Sequence, residues 1–159
     1  MALLVIGYGN AGRGDDGLGP AFAARIAAAG YAECRTEIDY QLTPEHALQI
    51  AGADVVLFAD AELGLDRPFR LERLRAERGG DIASHALAPG AVLALAELLY
   101  GATPDAWVVG IAGQDFGAVA EGLSETASRN LELALAGFRD WHGAPRAPDP
   151  AAGDSASLP

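Results

Sequence analysis

Ala2-Leu3-Leu4-Val5-Ile6-Gly7-Tyr8-Gly9-Asn10-Ala11-Gly12-Arg13-Gly14-Asp15-Asp16-Gly17-Leu18-Gly19-Pro20 is the stretch that decides the fold. Its short apolar run, closed by turn residues, reads as a buried strand. Gly7, Gly9, Gly12, Gly14, Gly17 and Gly19 follow, so the backbone there turns sharply or is approached closely. Asp15 and Asp16 then precede an apolar pattern at Leu18, Phe22 and Ile26, spaced four apart as on one helix face. A strand, a glycine loop, an acid pair and a helix in this order point to a site at the end of the strand.

Gly7, Gly9 and Gly12 match the GxGxxG dinucleotide fingerprint, and Glu37 or Asp39 would stand as the ribose ligand. Such a site binds a pyrophosphate at the helix N-terminus, through free N–H groups and the helix dipole. Here Asp15 and Asp16 occupy that end, where they would repel a diphosphate. The motif alone is weak, and the dinucleotide-binding reading ranks below the others.

Outward from this stretch the pattern predicts a helix over 18–29 stopped by Gly30, then a strand over 33–39 near a sheet edge. A short helix over 44–50 follows, with Thr43 as cap and Pro44 in first position. Residues 54–60 form the clearest buried strand, ending on Asp60. The charged segment 66–82 holds one more strand and a turn at Gly79-Gly80. Pro89 to Tyr100 is a helix with Val92, Leu95, Ala96 and Leu99 inward, and residues 106–111 are a further buried strand. Ser124 caps a last helix that buries Leu131, Leu135, Phe138 and Trp141. Strands alternating with helices imply an α/β three-layer sandwich around a mostly parallel central sheet of about five strands. One domain over 1–142 is expected, and 143–159, rich in Pro, Ala and Gly, reads as a flexible tail.

The 159 residues carry 11 basic and 22 acidic side chains, a net charge of −11. That balance argues against nucleic acid or an anionic membrane as partner, since both require a basic footprint. The apolar runs are strand-sized and the first lacks a basic leader, so neither a membrane span nor a signal peptide is expected. The single Cys34 packs as a small hydrophobe, and a reducing cytoplasm is the expected setting.

Sheets of this kind bind ligands beyond the carboxyl ends of their strands. Asp15 and Asp16 follow the first strand, Asp60 ends the strand at 54–60, and Ser84-His85 precede the helix at Pro89. Two carboxylates and an imidazole converging there could hold a divalent transition metal with positions left open. Taken singly, each has a plainer use: an Asp before a helix caps it, an Asp ending a strand bonds loop amides, and a lone His is a surface or hydrogen-bonded residue. Their shared edge favours a site. His46 and His142 read as exposed and outside it, and no nucleophile motif is present.

The run from Gly7-x-Gly9-Asn10 through Gly14-Asp15-Asp16-Gly17-x-Gly19-Pro20 resembles the signature of the hydrogenase maturation proteases, endopeptidases specific to NiFe-hydrogenase large subunits. The resemblance continues through Phe58-Ala59-Asp60-Ala61, Ser84-His85, Gly110-Ile111 and Glu121-Gly122-Leu123-Ser124, covering residues 3–141. It implies an α/β endopeptidase that removes a C-terminal extension from the large-subunit precursor after nickel insertion. The implied metal ligands fall on Asp16, Asp60 and His85, with nickel belonging to the precursor and zinc or cadmium able to replace it in vitro. Asp16 would be the base if the metal activates water. Gly9, Asn10 and Asp15 are the expected docking groups for the peptide. Where many relatives have Gln-Pro after Gly110-Ile111, this chain has Ala112-Gly113-Gln114-Asp115. A monomer whose partner is the precursor is expected; a non-catalytic nickel-sensing or chaperone protein with the same metal site is the alternative.

Overall fold

The computed structural model describes residues 1–77, 87–117 and 119–149. The expected turn at Gly79-Gly80 and the pair Ser84-His85 lie outside the described residues. Five strands form one sheet: β1 (Leu3–Tyr8), β2 (Cys34–Asp39), β3 (Val55–Glu62), β4 (Phe69–Arg73) and β5 (Asp105–Ala112). Their spatial order is β2-β1-β3-β5-β4, parallel except for β4, which runs antiparallel to β5 at the edge. The helices are α1 (Leu18–Ala29), α2 (His46–Ala51), α3 (Pro89–Tyr100) and α4 (Glu125–Gly143).

Alternation along the strands sends successive side chains to opposite faces, and each face carries its own core. Leu3, Val5, Leu57, Ala59 and Ile111 pack with Phe22 and Ile26 of α1 and Leu131, Leu135 and Phe138 of α4. Leu4, Ile6, Val56, Phe58 and Val108 pack with Ile50 of α2 and Val92, Leu93 and Ala96 of α3. This is the expected three-layer sandwich. The glycines of the opening stretch let α1 lie directly on the sheet. A Cβ on Gly7 would strike the Gly19 carbonyl, and one on Gly19 would strike the carbonyls of Tyr8 and Ala59.

Several boundaries and faces differ from the sequence pattern. β3 continues past Asp60 to Glu62, because Ala61 and Glu62 still pair with Ile111 and Ala112 of β5. In α3 Leu93 is buried, whereas Leu99, expected inward, is 56% exposed near the Gly101 stop. α2 begins at His46 rather than Pro44, with no side-chain cap. His46, expected in solvent, is 3% exposed: its Nδ1 accepts from the Thr43 N–H at 3.0 Å, leaving Nε2 to face Asp39 Oδ2 at 3.4 Å. His142 is half-buried, stacked on Phe138 with ring centroids 5.5 Å apart. The segment after Gly143 is laid back on the molecule as far as it is described. Arg73 Nη2 donates to the Ala147 carbonyl at 2.8 Å, and Arg75 reaches Asp149 through two bonds of 3.0 and 3.1 Å.

Candidate functional site

The parallel strands end together at the edge where the glycine loop leaves β1. Gly9 turns with a φ of 145°, a conformation that a side chain disfavours, and a Cβ there would strike the Asp16 carbonyl. Its N–H donates to the Asp39 carbonyl at 3.1 Å. Gly9 therefore closes the loop against its own chain, which explains the residue without a bound peptide or pyrophosphate. Of the other glycines that match the dinucleotide fingerprint, Gly7 gives its space to α1.

The two acids of the loop part company. Asp15 is fully buried. Its Oδ2 accepts from the Gln114 and Asp115 amides at 2.8 and 2.9 Å and from Ser124 Oγ at 2.8 Å, while Oδ1 accepts from the Ser124 amide at 2.7 Å. Burial alone would raise its pKa, but these hydrogen bonds outweigh it and hold the carboxyl below its ordinary value. Asp15 thus ties the glycine loop to the segment after β5 and to the start of α4. It was expected among the docking groups; its carboxylate has no capacity left for a ligand. The departure Ala112-Gly113-Gln114-Asp115 belongs to the same arrangement, since its amides are the donors.

Asp16 is half-buried and turned the other way, with Oδ2 accepting the Asn10 N–H at 2.7 Å. Asn10 is also half-buried; its Oδ1 accepts from the Gly12 amide at 2.9 Å and its Nδ2 donates to the hydroxyl of the exposed Tyr40 at 3.1 Å. Asp60 stands on β3 in a cleft of about 390 Å³, whose wall includes Tyr8, Glu62, Arg70, Pro89 and Gly90. Burial raises the Asp60 pKa from 3.8 to about 6; the Tyr8 hydroxyl and the Ala61 amide oppose this as donors, and the charges of Asp16 and Glu62 add to it. Tyr8 is held protonated, by burial first and by the Asp60 charge second.

Asp16 and Asp60 are therefore brought to one edge and sense each other's charge. Among the described residues no three His, Cys, Asp or Glu side chains stand together as a metal site. His85, the third expected ligand, lies outside them. Two oxygen donors in a partly desolvated setting suit a cation that brings further ligands of its own. The sequence pattern missed Tyr8, Glu62 and Arg70, which share the cleft wall with Asp60. Tyr8 follows Leu4 and Ile6 at period two, which marks its face, but its partner depends on strand order.

No protein-family model and no curated protein matches this chain. Solved structures do share its fold. The NiFe hydrogenase maturation protease HycI from Thermococcus kodakarensis KOD1 superposes with a TM-score of 0.67 at 20% identity, over 87% of this chain and 90% of that one. The hydrogenase maturating endopeptidase HybD from E. coli gives 0.64 at 22% identity, over 89% and 94%. An uncharacterized protein from Wolinella succinogenes gives 0.62 at 25% identity, over 89% and 96%. The five-stranded mixed sheet between helix layers is the architecture of the maturation proteases.

Proposed function

From this shared architecture we propose that the chain is an endopeptidase of hydrogenase maturation, which removes a C-terminal extension from a NiFe-hydrogenase large-subunit precursor after nickel insertion. The observation that carries the reading is Asp60. Its carboxylate is kept in a cleft at the carboxyl edge, against its own desolvation and against the Asp16 charge. Each acid also serves the fold, Asp16 through the Asn10 amide and Asp60 through Tyr8 and the Ala61 amide, yet two carboxylates drawn together at a cleft concentrate a charge that suits a cation.

In this reading Asp16 and Asp60 take hold of the nickel that arrives with the precursor, and the nickel is part of the substrate. His85 joins them on the sequence resemblance alone. The half-exposed Asn10 side chain remains a docking group for the extended peptide beside the loop. Nickel serves as the recognition signal; Asp16 would assist as base should a metal-bound water be the attacking group. Zinc or cadmium would compete for the same oxygens in vitro. The protein would work as a cytoplasmic monomer; among the described residues no helix is long and apolar enough to cross a membrane.

The test is to incubate the protein with nickel-loaded and nickel-free precursor and follow precursor mass. Loss of the extension from the loaded precursor alone is expected, and Asp60→Ala should abolish it. Binding of the loaded precursor without cleavage would instead identify a non-catalytic nickel-sensing protein.

A further inference from the structure

Tyr8 and Asp60 are cross-strand neighbours on one face of the sheet. Ile6 pairs with Phe58 and Gly7 with Ala59, so the next step of the parallel β1–β3 register sets Tyr8 beside Asp60. Ile6 and Phe58 belong to the core under α2 and α3, and residues two further along each strand keep that face. The Tyr8 side chain packs against this core and lines the cleft together with Asp60. Its hydroxyl donates to the Asp60 carboxylate, and the Ala61 amide donates from the strand itself.

An aspartate carboxyl turns easily about its last torsion, whose preference is broad. Two donors, one on a packed ring and one on a paired strand, remove that freedom. A carboxylate has about four lone-pair sites, so two donors leave room for a cation. The kind of donor matters as well. Arg70 stands in the same register row, beyond Gly110, but is engaged elsewhere. Its Nε donates to both Glu62 oxygens at 2.6 and 2.9 Å, and its Nη1 to Glu72 Oε2 at 3.1 Å. A guanidinium on Asp60 would offset the carboxylate charge, whereas a neutral hydroxyl fixes the group and leaves its charge in place. Asp16 is held in the same way, by the neutral Asn10 amide at 2.7 Å.

We propose that Tyr8 is the positioning residue of Asp60: its hydroxyl fixes the carboxylate with the remaining lone pairs open to the cleft, where a divalent cation meets them. This rests on the endopeptidase reading above, in which that cation is the precursor's nickel. A ligand oriented in advance loses little freedom on binding, and the groups that orient a ligand carry a large share of metal affinity.

The test compares wild type with Tyr8→Phe, which removes the hydroxyl and keeps the ring in the core. Ile26→Val, a small loss of packing on the opposite face of the sheet, controls for stability. Zinc alone is the first probe, titrated by calorimetry well below the melting range, and the site counted is the one lost in Asp60→Ala. Removing an orienting partner should weaken zinc binding roughly 10- to 100-fold in Tyr8→Phe. With nickel-loaded precursor, KM should rise by a similar factor while kcat is kept, the pattern of lost binding rather than lost chemistry. Ile26→Val should bind and cleave as wild type does. Wild-type zinc affinity and KM in Tyr8→Phe would overturn the proposal, since ring packing would then be the whole role of Tyr8. An equal loss in Ile26→Val would overturn it too, by making the loss one of stability. A fall in kcat with zinc affinity kept would place Tyr8 at the scissile bond and overturn the positioning role. If zinc alone does not bind the wild type, KM decides. If the wild type binds zinc without cleaving the precursor, the endopeptidase reading fails, while zinc affinity still decides Tyr8. If it neither binds zinc nor cleaves, both fail.

Discussion

Asp60 is a carboxylate held partly desolvated in the cleft at the end of the sheet. Its pKa in the folded chain is raised, from 3.8 to about 6, so the protonated form is the one that folding favours. Its favourable contribution is complete below about 4 and is lost as pH rises through about 6. Above that, the ionised group opposes folding by on the order of 1–3 kcal/mol. Asp60→Asn should therefore be more stable than wild type in urea titrations at pH 8, with the advantage gone at pH 4, while precursor cleavage is abolished. A variant less stable at pH 8 would make Asp60 a structural residue and remove the main support for the site. Asp15 should behave in the opposite sense. Its lowered pKa means that its contribution is present above the unfolded value of about 3.9 and is lost as pH falls below it. Asp15→Asn puts an amide donor among four donors, and at pH 7 should cost roughly 2–4 kcal/mol through unmade bonds to buried groups. The gap from wild type, read by the same titrations, should narrow at pH 3; a constant gap would mean that the ionised form is not what the loops hold.

At the scale of elements, most of the architecture was legible because period and punctuation are local. Leu18, Phe22 and Ile26 gave the buried face of α1, Gly30 its left-handed stop at φ 68°, and Ser124 the cap of α4 through the Ala127 amide at 3.1 Å. Three features were not local. β3 gained two residues because β5 pairs with them, α3 turned Leu93 inward in place of Leu99, and His46 was buried facing Asp39 at the end of β2. The site divides in the same way. The carboxyl-edge rule carried Asp16 and Asp60 there from sequence position, whereas Asp15 was misassigned because its partners lie about a hundred residues further along the chain. Arg70 was unreadable without the register that sets it across Gly110. The glycine signature itself is a packing device, which makes a sharp expectation for α1. In Gly19→Ala the new methyl meets two backbone carbonyls that cannot rotate away, so the helix must lift from β1 and β3. Overpacking of this kind costs about 1–3 kcal/mol or more. Thermal melts should show that loss, and cleavage should fall with it because Asp16 lies three residues before Gly19 in the loop that enters the helix. Gly30→Ala meets no neighbouring atom and should cost only the strain of a left-handed residue, about 1 kcal/mol. Equal losses in the two variants would contradict tight packing at Gly19.

For the whole molecule, the instructive segment is the one after Gly143. Its composition, mostly Pro, Ala, Gly, Ser and Asp with one late Leu, offers little apolar surface to bury, and such a segment reads as a tail. What holds residues 144–149 is Arg73 at the Ala147 carbonyl, Arg75 at Asp149, and, within the same stretch of chain, Arg146 stacked 4.3 Å from the Trp141 ring centroid. Hydropathy does not register such contacts, and the arginines of 66–82 gave no sign of a partner. Each contact is weak. The Arg75–Asp149 pair is largely exposed on the arginine side and contributes about 0–1 kcal/mol, and a surface cation–π contact about 0.5–1 kcal/mol. With the Arg73 bond, ending the chain at Gly143 should cost roughly 1–2 kcal/mol, or about 3–8 °C in melting temperature for a domain of this size. A chain ending at Asp149 keeps all three contacts and should melt above the one ending at Gly143. The difference between the two truncations should shrink in 0.5 M salt, since surface pairs are screened at that strength. Equal melting temperatures for the two truncations would mean that the arginines do not hold the segment in solution. A loss unaffected by salt would mean that packing on Trp141, rather than charge, is what the segment supplies.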